Sequence, residues 1–224
     1  PYLCRRFGLT RFEADAIVLC TAMHLDRKYE KLYAYLQDDI TCKYPSVDLA
    51  IKLFCHTEKD KAAARAILLC NLDPFLLQIV QRENAGSGLT AKEIRMNERL
   101  LPFLLGYGTT PQGLADYIHY EATHRADGEK LISGIEAYSR FSVYASRFFR
   151  QERLLHDPSV IILNGRRGAG KKTWVRLLCT ENGFPLLIVD AVRMAEAEKG
   201  LAEKLLDLFG EGKLQQAVIA FERI

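Results

Sequence analysis

With 224 residues, of which 49% are hydrophobic and 26% charged, the chain is long enough for one large or two small domains with real cores. Its net charge of +3 is too small to imply a nucleic-acid or membrane partner by itself, and no apolar run approaches the ~18 residues that a spanning helix needs. The start, Pro1-Tyr2-Leu3-Cys4-Arg5-Arg6, has neither an initiator Met nor an apolar signal segment, so the chain reads as a fragment of a longer cytoplasmic protein.

The first third predicts helices. Thr10-Arg-Phe-Glu13 has capping-box spacing, and Phe12, Ala16, Leu19, Cys20 and Met23 follow at helical intervals. Asp26 caps a second helix with an expected buried face of Tyr29, Leu32, Tyr33 and Leu36. Pro45-Ser46 opens a third through Val47, Leu49, Ala50, Leu53 and Phe54, and a fourth runs from Asp60 to Cys70. The period then changes. Phe75 to Val80 is a compact apolar run and Lys92 to Met96 an alternating one, separated by the turn-rich 84–88, while Glu98 to Leu105 resumes as a short helix.

Helices followed by a hairpin predict a winged-helix-like domain. The third helix, taken as the groove reader, offers only Asp48 and Lys52, and the hairpin tip only Arg82 against Glu83. Specific DNA readout needs several Arg, Lys, Asn or Gln on one face, so the pattern favours protein contacts over nucleic acid.

Thr109-Thr110-Pro111-Gln112-Gly113 reads as a boundary loop leading into a mostly helical connector. Leu131, Ile135, Tyr138, Phe141, Ala145 and Phe148 predict one amphipathic helix over 129–150. From Arg125 through Arg176 there are eleven Lys or Arg against five Asp or Glu, an excess able to steer an anion.

Gly165-Arg-Arg-Gly-Ala-Gly-Lys171-Lys172-Thr173 carries the chemistry. Gly165 and Gly170 have the G-x-x-x-x-G-K spacing of a phosphate-binding P-loop, and Gly168 with Ala169 keeps the turn small enough for phosphate to approach the backbone. Val160 to Leu163 predicts the buried parallel strand that should enter such a loop, and Thr173 to Cys179 the helix that should leave it with its positive end toward the anion. Lys171 is placed to reach the β- and γ-phosphates of ATP or ADP.

Where a Ser or Thr should ligate Mg²⁺, however, the chain has Lys172. Thr173 lies roughly 100° further round the helix. A second ammonium there attracts phosphate and repels the metal. Pro185 to Val189 predicts a second strand ending at Asp190, and Ala195 to Phe209 a helix stopped by Gly210. Ala217 to Glu222 predicts a third strand, with Glu222 as the candidate general base and Phe221 where a metal-orienting Asp is expected. Both departures remove Mg²⁺ ligands and predict a site that holds nucleotide better than it cleaves it. No metal site is predicted. Cys4, Cys20, Cys42, Cys55, Cys70 and Cys179 never form C-x-x-C and read as reduced thiols, mostly in the core.

The segments Arg6 to Glu13, Leu25 to Asp39 (with Tyr33-Ala-Tyr-Leu-Gln-Asp-Asp39) and Tyr44 to Ala50 together resemble the N-terminal region of a bacterial AAA+ ATPase family. That family is associated with contractile, phage-tail-like injection systems. The resemblance covers the N-terminal half and recurs weakly at the P-loop. It implies a winged-helix-like domain, a first AAA module that is often degenerate, and a second, intact ATPase module beyond it. The chain ends at Ile224, before a sensor, arginine finger or lid, so hydrolysis and hexamerisation are not carried over.

The resulting expectation is a mostly helical α+β chain. Residues 1–108 form a winged-helix-like protein-interaction domain, 109–155 a helical connector, and 156–224 a partial P-loop (AAA+-type) α/β domain with a parallel sheet. That sheet is expected to lack the strand between its first and third, making the α/β part the less stable. Gly165, Gly168, Ala169, Gly170, Lys171, Lys172 and Thr173 are the nucleotide-binding residues, with ATP or ADP as ligand and the full-length protein as a candidate homo-oligomer. The alternatives are a non-enzymatic scaffold with a vestigial loop and a DNA-binding regulator.

Overall fold

Side-chain caps start several of the N-terminal helices. The computed structural model describes residues 2–81, 88–107, 114–121, 136–155, 160–196 and 200–223, in two units, Pro1–Pro111 and Gln112–Ile224. In the first unit, α1 (Tyr2–Phe7) precedes α2 (Arg11–Leu25), which has the predicted reciprocal cap. Glu13 N donates to Thr10 Oγ1 at 3.3 Å and Thr10 N to Glu13 Oε2 at 2.8 Å. Asp26 accepts from Lys28 N at the head of α3 (Lys28–Leu36), and Ser46 accepts from Leu49 N at the head of α4 (Val47–Phe54). Thr57 and Asp60 form a second capping box on α5 (Glu58–Ala66), which continues as a π turn over Ile67–Asn71.

A hairpin follows. β1 (Leu77–Val80) pairs antiparallel with β2 (Glu93–Met96) in the register Leu77↔Met96, with a 3₁₀ turn at Leu89–Ala91 before the return strand. An isolated bridge joins Ser46 to Glu93, where Val47 N donates to Lys92 O and Ile94 N to Pro45 O. The unit ends in α6 (Leu100–Leu104). Most of the expected hairpin tip, including Arg82, Glu83 and Asn84, lies outside the described residues, as does the boundary loop 109–113. The core under α2, α4 and the hairpin is built from Ala16, Ile17, Cys20, Val47, Ala50, Leu77 and Ile94.

The sequence misplaced one face here. Leu32 and Leu36 of α3 are 45% and 46% exposed, and only Tyr33 is buried. Tyr33 docks the helix by donating its hydroxyl to Leu19 O at 2.7 Å, and Gln37 ties its end to Tyr44 O and Ser46 N. Those two anchors lie on one side of α3, so its apolar residues divide between a covered and an open face.

The second unit is a layered α/β arrangement. β3 (Ile118–Glu121) is a strand inside the stretch read as helical connector; its four-residue length leaves too little alternation to recognise. α7 (Glu136–Leu155) takes the described part of the predicted amphipathic helix, with Tyr138 and Ala145 buried and 129–135 outside the described residues. Then come α8 (Lys171–Asn182), β4 (Leu186–Asp190), α9 (Ala191–Glu196), α10 (Leu201–Gln215) and β5 (Val218–Glu222).

Strand order is β3-β4-β5, with β3 antiparallel and β5 parallel to β4. Alternation along β4 sorts the core into two clusters. Leu186 and Ile188 pack with Cys179 and Val175 of α8, whereas Leu187 and Val189 pack with Met194, Leu208, Tyr117 and Ile118.

Two further expectations need correction. Val160 to Leu163 is not a buried strand: it has no ladder partner among the described residues, and Val160 and Ile162 are 81% and 85% exposed. β5 stands at the edge of the sheet, and without a neighbour to accept its backbone an apolar run cannot be a strand. α10 is not stopped by Gly210; it runs to Gln215 through Gly210 and Gly212. A Cβ on Gly212 would lie 2.7 Å from Ile219 Cδ1, so this glycine permits close packing of α10 on β5 rather than ending the helix.

Candidate functional site

The glycine-rich turn stands at the head of α8. Gly168 and Gly170 both have left-handed backbones, with φ of 84° and 75°, which explains why glycine occupies those two positions. Ala169 N donates to Arg166 O within the turn, and helical geometry begins at Lys171 with Gly170 as the cap. No side chain caps α8, so its first amides keep the open, positive end that favours an anion. Lys171 Nζ curls back to donate to Gly165 O at 2.8 Å and Arg166 O at 3.0 Å. Gly165, Arg166, Arg167, Gly168 and Ala169 are all exposed, leaving the turn accessible.

Lys172 and Glu222 meet. Lys172 Nζ lies 2.8 Å from Glu222 Oε2, with the two side chains 46% and 35% exposed. The residue in the hydroxyl position is therefore joined to the carboxylate at the end of β5. Thr173 is half-buried on the first turn. The predicted loop residues are contiguous by construction; what the fold adds is Glu222, fifty residues later in the chain.

Sequence reasoning gave no role to the charges around this pair. The parallel register sets Asp190 beside Glu222 at the carboxyl edge of the sheet, the edge where open α/β sheets bind ligands. Asp190 Oδ2 is 3.1 Å from Arg223 Nη1 and 3.7 Å from Arg193 Nε. The available signal was two apolar runs each ending in a carboxylate, which parallel pairing places side by side.

Further along α8, Arg176 grips Glu121 of β3 through one guanidinium edge, with Nε 2.8 Å and 2.9 Å from the two carboxylate oxygens and Nη2 donating to Oε1. This fork holds the Glu121 carboxyl below its usual range and raises the Arg176 guanidinium above its own. His119 Nε2 stands 3.5 Å from the same carboxylate. Burial pushes the Cys179 thiol, on the covered face of α8, up to about 12, which keeps it protonated and unreactive.

Trp174, the only tryptophan of the chain, reports on the loop. It packs against Tyr138 and Phe141 of α7, and its Nε1 would be 3.8 Å from a Cβ on Gly170. Turn, helix end and lysines fit an anionic phosphate. They do not fit a P-loop Mg²⁺, because an ammonium stands where the hydroxyl ligand would be. Among the described residues, no three His, Cys, Asp or Glu side chains gather as a metal site.

In the N-terminal unit, the three residues Cys55-His56-Thr57 join α4 to α5. α4, the third helix of the sequence reading, buries Val47, Leu49, Ala50 and Ile51 and leaves Lys52 exposed and paired with Asp48. The exposed face of α5 presents Lys59 and Arg65 among Ala62, Ala63, Ala66 and Leu69, while Lys61 is paired with Glu58 at 2.7 Å.

The sequence model of the family described as "winged helix domain, variant" matches residues 1–118. No curated protein and no solved structure matches the chain. No helix among the described residues is long and apolar enough to cross a membrane.

Proposed function

The chain belongs to the variant winged helix domain family, and from that premise we propose a two-part protein: an N-terminal winged helix domain that contacts other proteins, and a degenerate P-loop unit that holds ATP or ADP. Winged helix domains serve protein or nucleic-acid contacts. Exposed cations are sparse on both α4 and α5, Lys52 on the first and Lys59 and Arg65 on the second, which favours protein, because base readout needs a denser set of donors.

The nucleotide reading is carried by one observation. Two left-handed glycines turn the backbone directly into the uncapped end of a twelve-residue helix, with Lys171 folded over the turn. In this reading the phosphates accept from the first amides of α8 and draw Lys171 off Gly165 O and Arg166 O. Lys172 supplies the positive charge that Mg²⁺ supplies elsewhere. Glu222, engaged by Lys172, serves as the partner that positions this ammonium, and its role as general base recedes. The finer proposal is that this unit is the first, degenerate module of an AAA+-type ATPase whose full-length form oligomerises; it rests on the resemblance and on the parallel β4-β5 pair.

Trp174 fluorescence during ATP titration, with Mg²⁺ or with EDTA, tests this reading. Saturable binding in EDTA supports it. Absence of binding supports a scaffold with a vestigial loop, and release of inorganic phosphate at enzymatic rates overturns the non-hydrolytic assignment.

A further inference from the structure

The N-terminal unit carries a groove that the nucleotide chemistry does not use. It lies along α3 and the turn after it, has a volume of about 780 Å³, and includes Tyr35 and Ile40 among its walls. Those two side chains are 82% and 90% exposed, and Leu32 and Leu36, expected in the core, extend the apolar surface along the same helix. Four large apolar side chains are thus exposed within nine residues, a local density above that of an ordinary surface.

The groove is also basic. Arg27, Lys28, Lys31 and Lys43 line it against a single carboxylate, Glu30. Arg27 is paired with Glu30 at 3.8 Å and Lys28 with Asp26 at 2.9 Å, whereas Lys31 and Lys43 have no ion-pair partner among the described residues. Asp38 and Asp39 precede Ile40 but do not line the groove, and the oxygens of Asp39 accept from Thr41 and Cys42. Lys31 and Lys43 thus stand uncompensated beside an apolar floor.

We propose that this groove docks an acidic amphipathic helix of a partner protein, its apolar residues seated on Tyr35 and Ile40 and its carboxylates on Lys31 and Lys43. The occupant follows from the chemistry. An isolated lysine pair would suit any anion, but leucine and isoleucine gain nothing from a phosphate backbone and gain free energy from burial against another apolar face. Steering by the lysines sets orientation and on-rate, and the apolar seats set affinity.

This inference rests on reading the N-terminal domain as a protein-contact module, and its test separates the two. A fluorescein-labelled synthetic helix of Leu and Glu is titrated with the whole chain. The same helix carrying Lys for Glu and a short DNA duplex serve as comparators. Saturable binding of the Leu/Glu helix is expected, weakened by about tenfold or more in Tyr35→Ala/Ile40→Glu, and again in Lys31→Glu/Lys43→Glu, which should now accept the Leu/Lys helix. All four positions are exposed, so the variants should melt like the wild type, a point checked by circular dichroism. Equal binding by wild type and variants would overturn the groove and leave the contact module standing. Binding of DNA alone would overturn both. Absence of saturable helix binding, or a concentration-dependent dimer lost in Ile40→Glu, would overturn the acidic-helix occupant.

Discussion

Lys172→Thr restores the hydroxyl that the loop lacks, and the structure sets what the change should do. The Lys172–Glu222 pair is short, at 2.8 Å, but its side chains are 46% and 35% exposed, so water screens it and its loss costs ~0.2–1 kcal/mol. Threonine in a helical first turn adds a few tenths of a kcal/mol at most. For a chain of this length the melting temperature should fall by no more than about 4 °C. The ligand should respond far more. If Lys172 donates to a phosphate oxygen, losing that charge-assisted bond removes ~1.5–3 kcal/mol, or at least about tenfold in affinity. Trp174 fluorescence in EDTA should therefore show a tenfold or larger rise in the dissociation constant. In Mg²⁺ the gap should narrow, because threonine can share the metal and Glu222 is no longer occupied. Thr173→Ala is the control and should leave affinity within about twofold, since that side chain lies roughly 100° away around the helix. Unchanged affinity of Lys172→Thr in EDTA would refute the idea that this ammonium substitutes for the metal.

Gly212→Ala should destabilise the second unit by ~1–3 kcal/mol despite alanine's better helix propensity, because the new Cβ would lie 2.7 Å from Ile219 Cδ1 and 3.0 Å from Cγ1. Chemical denaturation should show partial rescue in Gly212→Ala/Ile219→Val, and additive losses would refute the contact. Acid should weaken the second unit through Glu121: its carboxyl is held below the usual value, so the Arg176 fork stabilises above about pH 4.3 and is lost as pH falls through the lower folded value. Glu121→Gln should accordingly melt with less dependence on pH between about pH 5 and pH 3 than the wild type. Ile162→Lys should reduce aggregation on warming, measured by light scattering, without lowering the melting temperature, since Ile162 is 85% exposed in an apolar run with no ladder partner. Hydrogen exchange should show weaker protection in the second unit than in the first, and equal protection would count against the incomplete sheet.

Local chemistry was legible from the residues. Both capping motifs at Thr10 and Ser46 and the β1 and β2 runs are properties of a few neighbouring side chains, and each stands where the spacing put it. Errors arose where the deciding partner lies far away in sequence. Val160 to Leu163 has the composition of a strand but no neighbour to pair with. Gly210 looks like a helix stop, yet α10 runs on through it, and Ile219 requires a small residue at Gly212. Leu32 and Leu36 have core spacing, but Tyr33 and Gln37 had already determined which side of α3 is covered. The Lys172–Glu222 and Arg176–Glu121 pairs were invisible for the same reason, each joining residues 50 or more positions apart.

The family match and the compact units divide the chain differently, and the difference bears on where the chain can be cut. The match ends at Ile118, whereas the first unit ends at Pro111. Leu114, Tyr117 and Ile118 therefore belong to the family segment, yet they are buried in the cluster that includes Leu187, Val189 and Leu208 of the second unit. Tyr117 O also accepts from Asp190 N, and β3 begins at Ile118 against Val189. A cut at 118 would expose three apolar side chains on one product and take from the other the first residue of its antiparallel edge strand. Because β4 carries Asp190, whose neighbour in register is Glu222, the residues closing the family segment help to position the carboxyl edge facing the glycine turn. The winged helix segment thus contributes part of the scaffold of the candidate nucleotide site.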